Sequence, residues 1–345
     1  MLKKYGKSLG DIFDIKKTFI ESNNELLKDN IKLAKIAKKQ PKRSECKNCS
    51  NELSREVLFT KQGIDYHLCE TCNHLNSIYD DTNEFAKAVY VEEVTSYSKT
   101  YSAEDRRKWL SRVDKIYTPK AKFLGDFLLN TNKITINSVM DIGAGSGYFV
   151  KALLNEKFIN VHGYEVSTTQ VNFANKMLGQ DLVEQIEMDS LVDIIANSEA
   201  EILTMIGVLE HLTNPREILK AISMNKNIKF YYISLPLFSY SVFWEILNEN
   251  IFNRHLYGGH THLYTKESIN YFCKEFDFTS LAEWQFGVDA MDLYRFSLIQ
   301  MKSKNVSKKM IDLFSEKFVD VIDDIQLTFD KSEFSSEIHL ILKNN

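Results

Sequence analysis

From about residue 136 to 236 the hydrophobic period of the chain switches repeatedly between that of a strand and that of a helix, a pattern few architectures accept. Short apolar runs at Ser138 to Ile142, Asn160 to Val166, Gln185 to Met188, Glu201 to Ile206 and Lys229 to Leu235 read as strands, with helical stretches after the first, second and fourth. Strands separated by helices pair in parallel, because each helix carries the chain back to the starting edge of the sheet. Local signals agree. Ser167 and Gln170 form a capping box, and Asn214-Pro215 places a cap residue before a first-turn proline. After Pro236 come an aromatic and histidine-rich insert, a helix from Thr265 to Phe276, a strand near Ser280 to Phe286, a further helix and a last strand, Glu337 to Leu342. The expected fold class is α/β.

The 345 residues exceed what this sheet needs, so further units precede it. Residues 1–40 read as a helical segment: Ile12, Phe19, Leu26 and Leu33 recur at heptad spacing with Phe13, Ile20 and Leu27 beside them. That stripe either packs on its own protein or joins copies into a homo-oligomer through the N-terminal helix. Residues 41–80 hold Cys46-Lys47-Asn48-Cys49 and Cys69-Glu70-Thr71-Cys72. Two residues between thiolates let one turn offer both sulfurs to the same ion, and two such turns complete a tetrahedron. Cys46, Cys49, Cys69 and Cys72 are therefore expected to hold a structural Zn²⁺ with no open position. His67 and His74 lie nearby but are not needed. Residues 81–130 read as a helical connector, with a capping box at Ser102-Ala103-Glu104-Asp105 and a second helix start at Thr118-Pro119. The catalytic domain is then 131–345, with acceptor-binding insertions at about 237–264 and 287–335.

With 43 basic and 47 acidic residues, the net charge of −4 gives no global positive field, which disfavours nucleic acid as a partner. No run approaches the roughly 20 apolar residues of a membrane span. The start, Met1-Leu2-Lys3-Lys4-Tyr5-Gly6, lacks the apolar core of a secretion signal, so a cytoplasmic location is expected.

The chemistry-bearing motif is Val139-Met140-Asp141-Ile142-Gly143-Ala144-Gly145-Ser146-Gly147-Tyr148, an apolar strand entering a glycine turn and then a helix. Glycines are required where a ligand must touch backbone that a Cβ would obstruct. A dinucleotide fingerprint would want its third glycine where Tyr148 stands. Glu165, near the end of the next strand, can accept hydrogen bonds from both hydroxyls of a ribose. The D-x-G-x-G-x-G spacing resembles the first motif of class I S-adenosylmethionine-dependent methyltransferases, whose sheet is Rossmann-like. Ile206-Gly207-Val208-Leu209-Glu210-His211-Leu212 resembles the Leu-Glu-His segment that borders the methionine end of the cofactor in that family. The resemblance covers about residues 130–236. It implies cofactor contacts at Asp141, Gly143, Ala144, Gly145, Gly147, Tyr148, Glu165, Val166 and Gly207. It also puts Asp189 of Met188-Asp189 beside the adenine, although Asp189 reads equally well as a helix cap.

S-adenosylmethionine carries its own electrophile, so the protein's task is to align an acceptor and remove a proton. Tyr257-Gly258-Gly259-His260-Thr261-His262-Leu263-Tyr264 offers histidines in a glycine loop, and His260, then His211 and His262, are the candidate bases. Zinc at these histidines is disfavoured, since no cysteine or well-spaced carboxylate accompanies them. The order of four-cysteine module, aromatic connector, methyltransferase core and histidine loop is similar to that of bacterial sugar methyltransferases, notably the zinc-containing sugar C-methyltransferases. Those carry Tyr-His-Glu-His in the insert; here Tyr257 and His260 match, while Gly258 and Gly259 replace the middle pair. The likeness also implies a connector tyrosine, Tyr97 or Tyr101, at the site. The expected substrate is a small-molecule sugar or sugar nucleotide, methylated at a hydroxyl or at a carbon beside a ketone. An RNA methyltransferase gripping its substrate with the zinc module, and a non-catalytic cofactor sensor, are the alternatives.

Overall fold

A computed structural model of the protein describes residues 1–10, 13, 18–90, 105–256 and 260–345. The alternating region forms the parallel part of a large sheet: β5 (Val139–Ile142), β6 (Val161–Glu165), β7 (Val183–Gln185), β8 (Ile202–Ile206) and β9 (Phe230–Pro236). β5 lies in the middle, with β6 and β7 to one side and β8 and β9 to the other. Every residue of β5 is buried, as expected of a strand covered on both faces. β12 (Glu337–Asn344) and β11 (Phe278–Gln285) extend the sheet antiparallel beyond β9. This is a mixed α/β, Rossmann-like fold.

Ser167 caps the helix Thr168–Leu178 by accepting from the Gln170 amide, and Gly179, at φ +72°, ends it. β7 lies earlier than the apolar run Gln185 to Met188 suggests. The Asn175 side chain bonds the backbone of Leu182 and Val183 and draws that segment onto β6, while Met188–Ser190 turn away.

Three departures from the sequence reading have local causes. Residues 2–5 form not the start of a helix but an edge strand, β1 (Leu2–Tyr5), parallel to β11. Lys4 lies 3.9 Å from the Trp284 ring, Lys3 and Tyr5 bond Glu333, and Gly6, at φ +79°, ends the strand before the heptad stripe begins. In the connector, Asp105 is itself the cap of Arg106–Arg112, accepting from the Lys108 amide, while Ser102 lies outside the described residues. Thr118-Pro119 begins no separate helix: a wide π-helical turn at Val113–Tyr117 joins the flanking helices into one run, so the proline is tolerated in its interior.

Described parts of the N-terminal helical segment pack inside the chain. Phe13 and Ile20 pack with Tyr294, Phe314 and Phe318 of the C-terminal helices, and Ala34 and Ala37 pack on a second, small sheet. That sheet has the order β10-β4-β3-β2, from β2 (Phe59–Lys61), β3 (Ile64–Leu68), β4 (Leu75–Ser77) and β10 (His262–Leu263). Three of its strands belong to the cysteine region. The fourth comes from the histidine insert and pairs His262 with Asn76 and Leu263 with Leu75. Among the described residues no helix is long and apolar enough to cross a membrane.

Gly163 is where β6 and the glycine loop press closest: a Cβ there would lie 2.6 Å from that of Ala144 and 3.1 Å from Val150 Cγ2. Gly163→Ala should lower stability by about 1–3 kcal/mol in urea denaturation through this overpacking, and an unchanged midpoint would contradict the contact.

Candidate active site

The turn after β5 runs through Gly143, Gly145 and Gly147 at φ values of +68°, +52° and +74°. Gly143 has a second reason to be glycine, since a Cβ would sit 2.5 Å from Val208 Cγ2. The turn is tied to the end of β6 by Glu165. One carboxylate oxygen accepts from the Gly145 amide at 2.9 Å, and the other accepts from the Val166 and Ser167 amides, each at 2.9 Å. Burial raises the Glu165 pKa, and the three amides oppose that rise. Asp141, also buried, accepts from the Thr204 hydroxyl at 2.6 Å, and burial pushes its pKa up to about 7.

Over these strand ends opens a cavity of about 340 Å³. Asp141, Gly143, Ala144, Gly145, Tyr148, Glu165, Val166, Gly207 and His211 line it. Ile186, Met188 and Leu191 give it an apolar wall, and Arg112, Tyr117 and Lys120 of the connector also line it. Tyr148 stacks on Tyr117 with centroids 5.2 Å apart. Bare backbone at the turn, a carboxylate held by amides and an apolar slot beside it can together hold an adenosyl cofactor. Gly147 faces Ala174 of the helix Thr168–Leu178 and does not line the cavity. Asp189 stands exposed on its turn outside the cavity, 3.4 Å from the Asn83 side-chain amide, while its neighbour Met188 lines the wall.

Beside the cavity the fold brings His211 and His260 together, with ring centroids 5.0 Å apart. The Nε2 atom of each is 3.9 Å from Glu210 Oε1. His260 Nδ1–H donates to the His255 carbonyl at 3.0 Å, which leaves its Nε2 unprotonated. Burial lowers the His211 pKa to about 4 and that of His260 well below its usual range, so both imidazoles are neutral near pH 7. The loop carrying the His255 carbonyl is held in turn by the buried carboxylate of Glu245, which accepts from the Arg254, His255 and Leu256 amides. His262 goes elsewhere. It is buried against the cysteine module, with Nδ1 2.8 Å from His74 Nε2. Tyr97, Tyr101 and Tyr257 lie outside the described residues.

Sequence reasoning passed over Lys120 and Glu337, which also line the cavity. Lys120 Nζ is 2.9 Å from Glu337 Oε1, and His339 Nε2 is 2.8 Å from the same oxygen. The Tyr232 hydroxyl, 2.8 Å from His339 Nδ1, completes this buried chain. No sequence signal joins these residues, because they come from the connector, β9 and β12.

The four cysteine sulfurs also converge: Cys46 and Cys72 are 3.7 Å apart and Cys49 and Cys69 3.5 Å. Thiolates bound to one Zn²⁺ at about 2.3 Å would stand roughly 3.8 Å apart, so the set fits a tetrahedral ion. Side-chain amides of Asn48, Asn51 and Asn76 point at Cys72, Cys49 and Cys46, as suits sulfurs bearing negative charge. His67 bonds the Glu56 carbonyl and His74 bonds Ser268 and His262, so neither is needed as a ligand.

Fold and cavity together define an α/β enzyme that works on a nucleoside cofactor. The chain belongs to the methyltransferase-domain family, whose model matches residues 104–283, just over half of its length. It is an S-adenosylmethionine-dependent methyltransferase. Similar solved structures include magnesium protoporphyrin IX methyltransferase from Synechocystis PCC 6803 with bound SAH, 11% identical, covering 75% of this chain and 100% of that one at a TM-score of 0.45. A SAM-dependent methyltransferase from Archaeoglobus fulgidus is 16% identical, covering 65% and 94% at a TM-score of 0.38. The plantazolicin methyltransferase BamL is 15% identical, covering 72% and 95% at 0.41. No curated protein matches the chain in sequence.

Because Asp141 holds its proton more tightly folded than unfolded, its contribution to stability is complete below its ordinary value of 3.8 and is lost as pH rises through about 7. In the cofactor-free protein, Asp141→Asn should flatten the fall of melting temperature across that window, and an unaltered profile would contradict the burial argument.

Proposed function

We propose that this methyltransferase acts on a small polar acceptor, a nucleotide-linked or glycan sugar, at a hydroxyl or at a carbon beside a ketone. The observation that carries the reading is the meeting of Glu210, His211 and His260 beside the cofactor cavity. Lys120 and Glu337 add polar groups on the cavity wall, which suits an acceptor rich in hydroxyls better than an apolar one.

S-adenosylmethionine supplies an electrophilic methyl group on a sulfonium that leaves as a neutral thioether. The glycine turn receives the cofactor, Glu165 accepts from its ribose hydroxyls, and Ile186, Met188 and Leu191 shelter the adenine from water. The Glu210, His211 and His260 group orients the acceptor oxygen and governs its proton, with His260 foremost. Cys46, Cys49, Cys69 and Cys72 bind Zn²⁺ in a purely structural role. Their module, at about residues 41–80, buttresses the insert through β4 and β10, through the Asn48 amide on the Ser268 carbonyl at 2.9 Å, and through Arg216 on the Asn48 carbonyl at 2.7 Å.

The test is to supply isotopically labelled S-adenosylmethionine with separate pools of nucleotide sugars, glycans and RNA. Label in a sugar supports the reading, and label only in RNA overturns it. With the acceptor in hand, His260→Ala should lower turnover by about 10²–10⁴-fold while cofactor affinity stays near that of the wild type. Gly145→Val should abolish cofactor binding in calorimetry. Full turnover in the first variant or wild-type affinity in the second would remove that residue from its role.

A further inference from the structure

Glu210, His211 and His260 stand close together without a hydrogen bond between the carboxylate and either imidazole. Both Nε2 atoms stand 3.9 Å from the same carboxylate oxygen, beyond the reach of a shared proton. The ligand atoms of all three residues nevertheless lie within 4.8 Å of one another. A first-row divalent cation binds imidazole nitrogen and carboxylate oxygen at about 2.0–2.2 Å, so ligands on one ion stand roughly 3–4 Å apart. Ring centroids 5.0 Å apart are likewise close to what two neighbouring imidazoles on one ion require.

Two further observations point to a ligand here. Glu210 is 3% exposed, and its Oε2 has no hydrogen-bond partner among the described residues. No lysine or arginine among those residues forms an ion pair with it; its basic partners are the two histidines. Burial raises the Glu210 pKa to about 8, and its unpartnered buried oxygen is one that a bound cation would satisfy. His260, for its part, donates Nδ1–H to a backbone carbonyl, the arrangement by which metal-bound imidazoles are fixed in tautomer and direction.

We propose that Glu210, His211 and His260 form a second metal site, for a divalent first-row cation, with open coordination positions directed toward the cofactor cavity that His211 lines. Two nitrogens and one carboxylate leave room for further oxygen ligands, in contrast to the closed sulfur set of the cysteine module. The ligand class is therefore an acceptor that offers two adjacent oxygens, a vicinal diol or a hydroxy ketone. This deepens the reading of the acceptor as a sugar and rests on it: the cation orients the acceptor oxygen and eases loss of its proton, and His260 then governs that proton as a metal ligand rather than by taking it directly. The carboxylate is supplied by the turn after β8, some fifty residues before His260, which is why the insert alone shows no metal pattern.

Mn²⁺ is the probe, because the soft thiolates of the cysteine module do not favour it. Electron paramagnetic resonance titration of the zinc-loaded protein should show one bound Mn²⁺ per chain. Glu210→Gln and His260→Ala should each weaken it by roughly 10- to 100-fold or more, with zinc content and cofactor affinity unchanged. No binding at millimolar Mn²⁺, or equal affinity in both variants, overturns the site. Full turnover after the N,O-bound cation is stripped overturns it too, while leaving methyl transfer intact. Mn²⁺ bound in the expected pattern by a protein that methylates no sugar supports the site and overturns only the acceptor class.

Discussion

Three backbone amides, from Gly145, Val166 and Ser167, converge on the carboxylate of Glu165 and fasten the glycine turn to the end of the neighbouring strand. The Gly143 and Ala144 amides on the Tyr164 carbonyl and the Trp109 indole on the Ser146 carbonyl hold the rest of the turn, whose glycines occupy left-handed conformations. Asp141 braces the same corner from beneath through Thr204 of β8. The cavity is therefore bounded by three adjacent strands, β6, β5 and β8, whose ends are linked by carboxylates. Each oxygen of Glu165 can accept more than one hydrogen bond, so the residue that shapes the turn can also bind a ribose.

The histidine side of the cavity is built on a different principle. Its histidine loop belongs to the insert after β9 and is braced both from within that insert and by elements distant in sequence. Glu245 gathers the amides of residues 254–256, and β10 completes the small sheet of the cysteine region. The N-terminal helix adds Asn23 and Asn30, whose side chains bond the backbone at Asn250, Phe252 and Asn253. The N-terminal helix and the cysteine region thus both bond the insert that carries His260.

What could be read from the sequence was what depends on local spacing. The glycine turn, Glu165 at a strand end and the paired cysteines each declare their geometry within a few residues; Glu165 bonds the turn, and the sulfurs lie in close pairs. Contacts between distant segments left no such trace. The run from Lys120 through Glu337 and His339 to Tyr232 joins the connector to two strands, and no single segment hints at it. His260 and His262 look equivalent in the loop, yet strand pairing sends His262 to His74 and away from the cavity. Residues 2–5 misled for a related reason: an edge strand of 4 residues has too few positions to show a period, and its partner is β11, at the far end of the chain.

The most direct test of the account follows the backbone amides by nuclear magnetic resonance while S-adenosylhomocysteine is titrated into the protein. The account predicts shifts concentrated at Gly143, Gly145, Val166, Ser167 and Gly207, with the cysteine module unaffected. Shifts confined to the module or to the C-terminal helices, with the glycine turn silent, would contradict it.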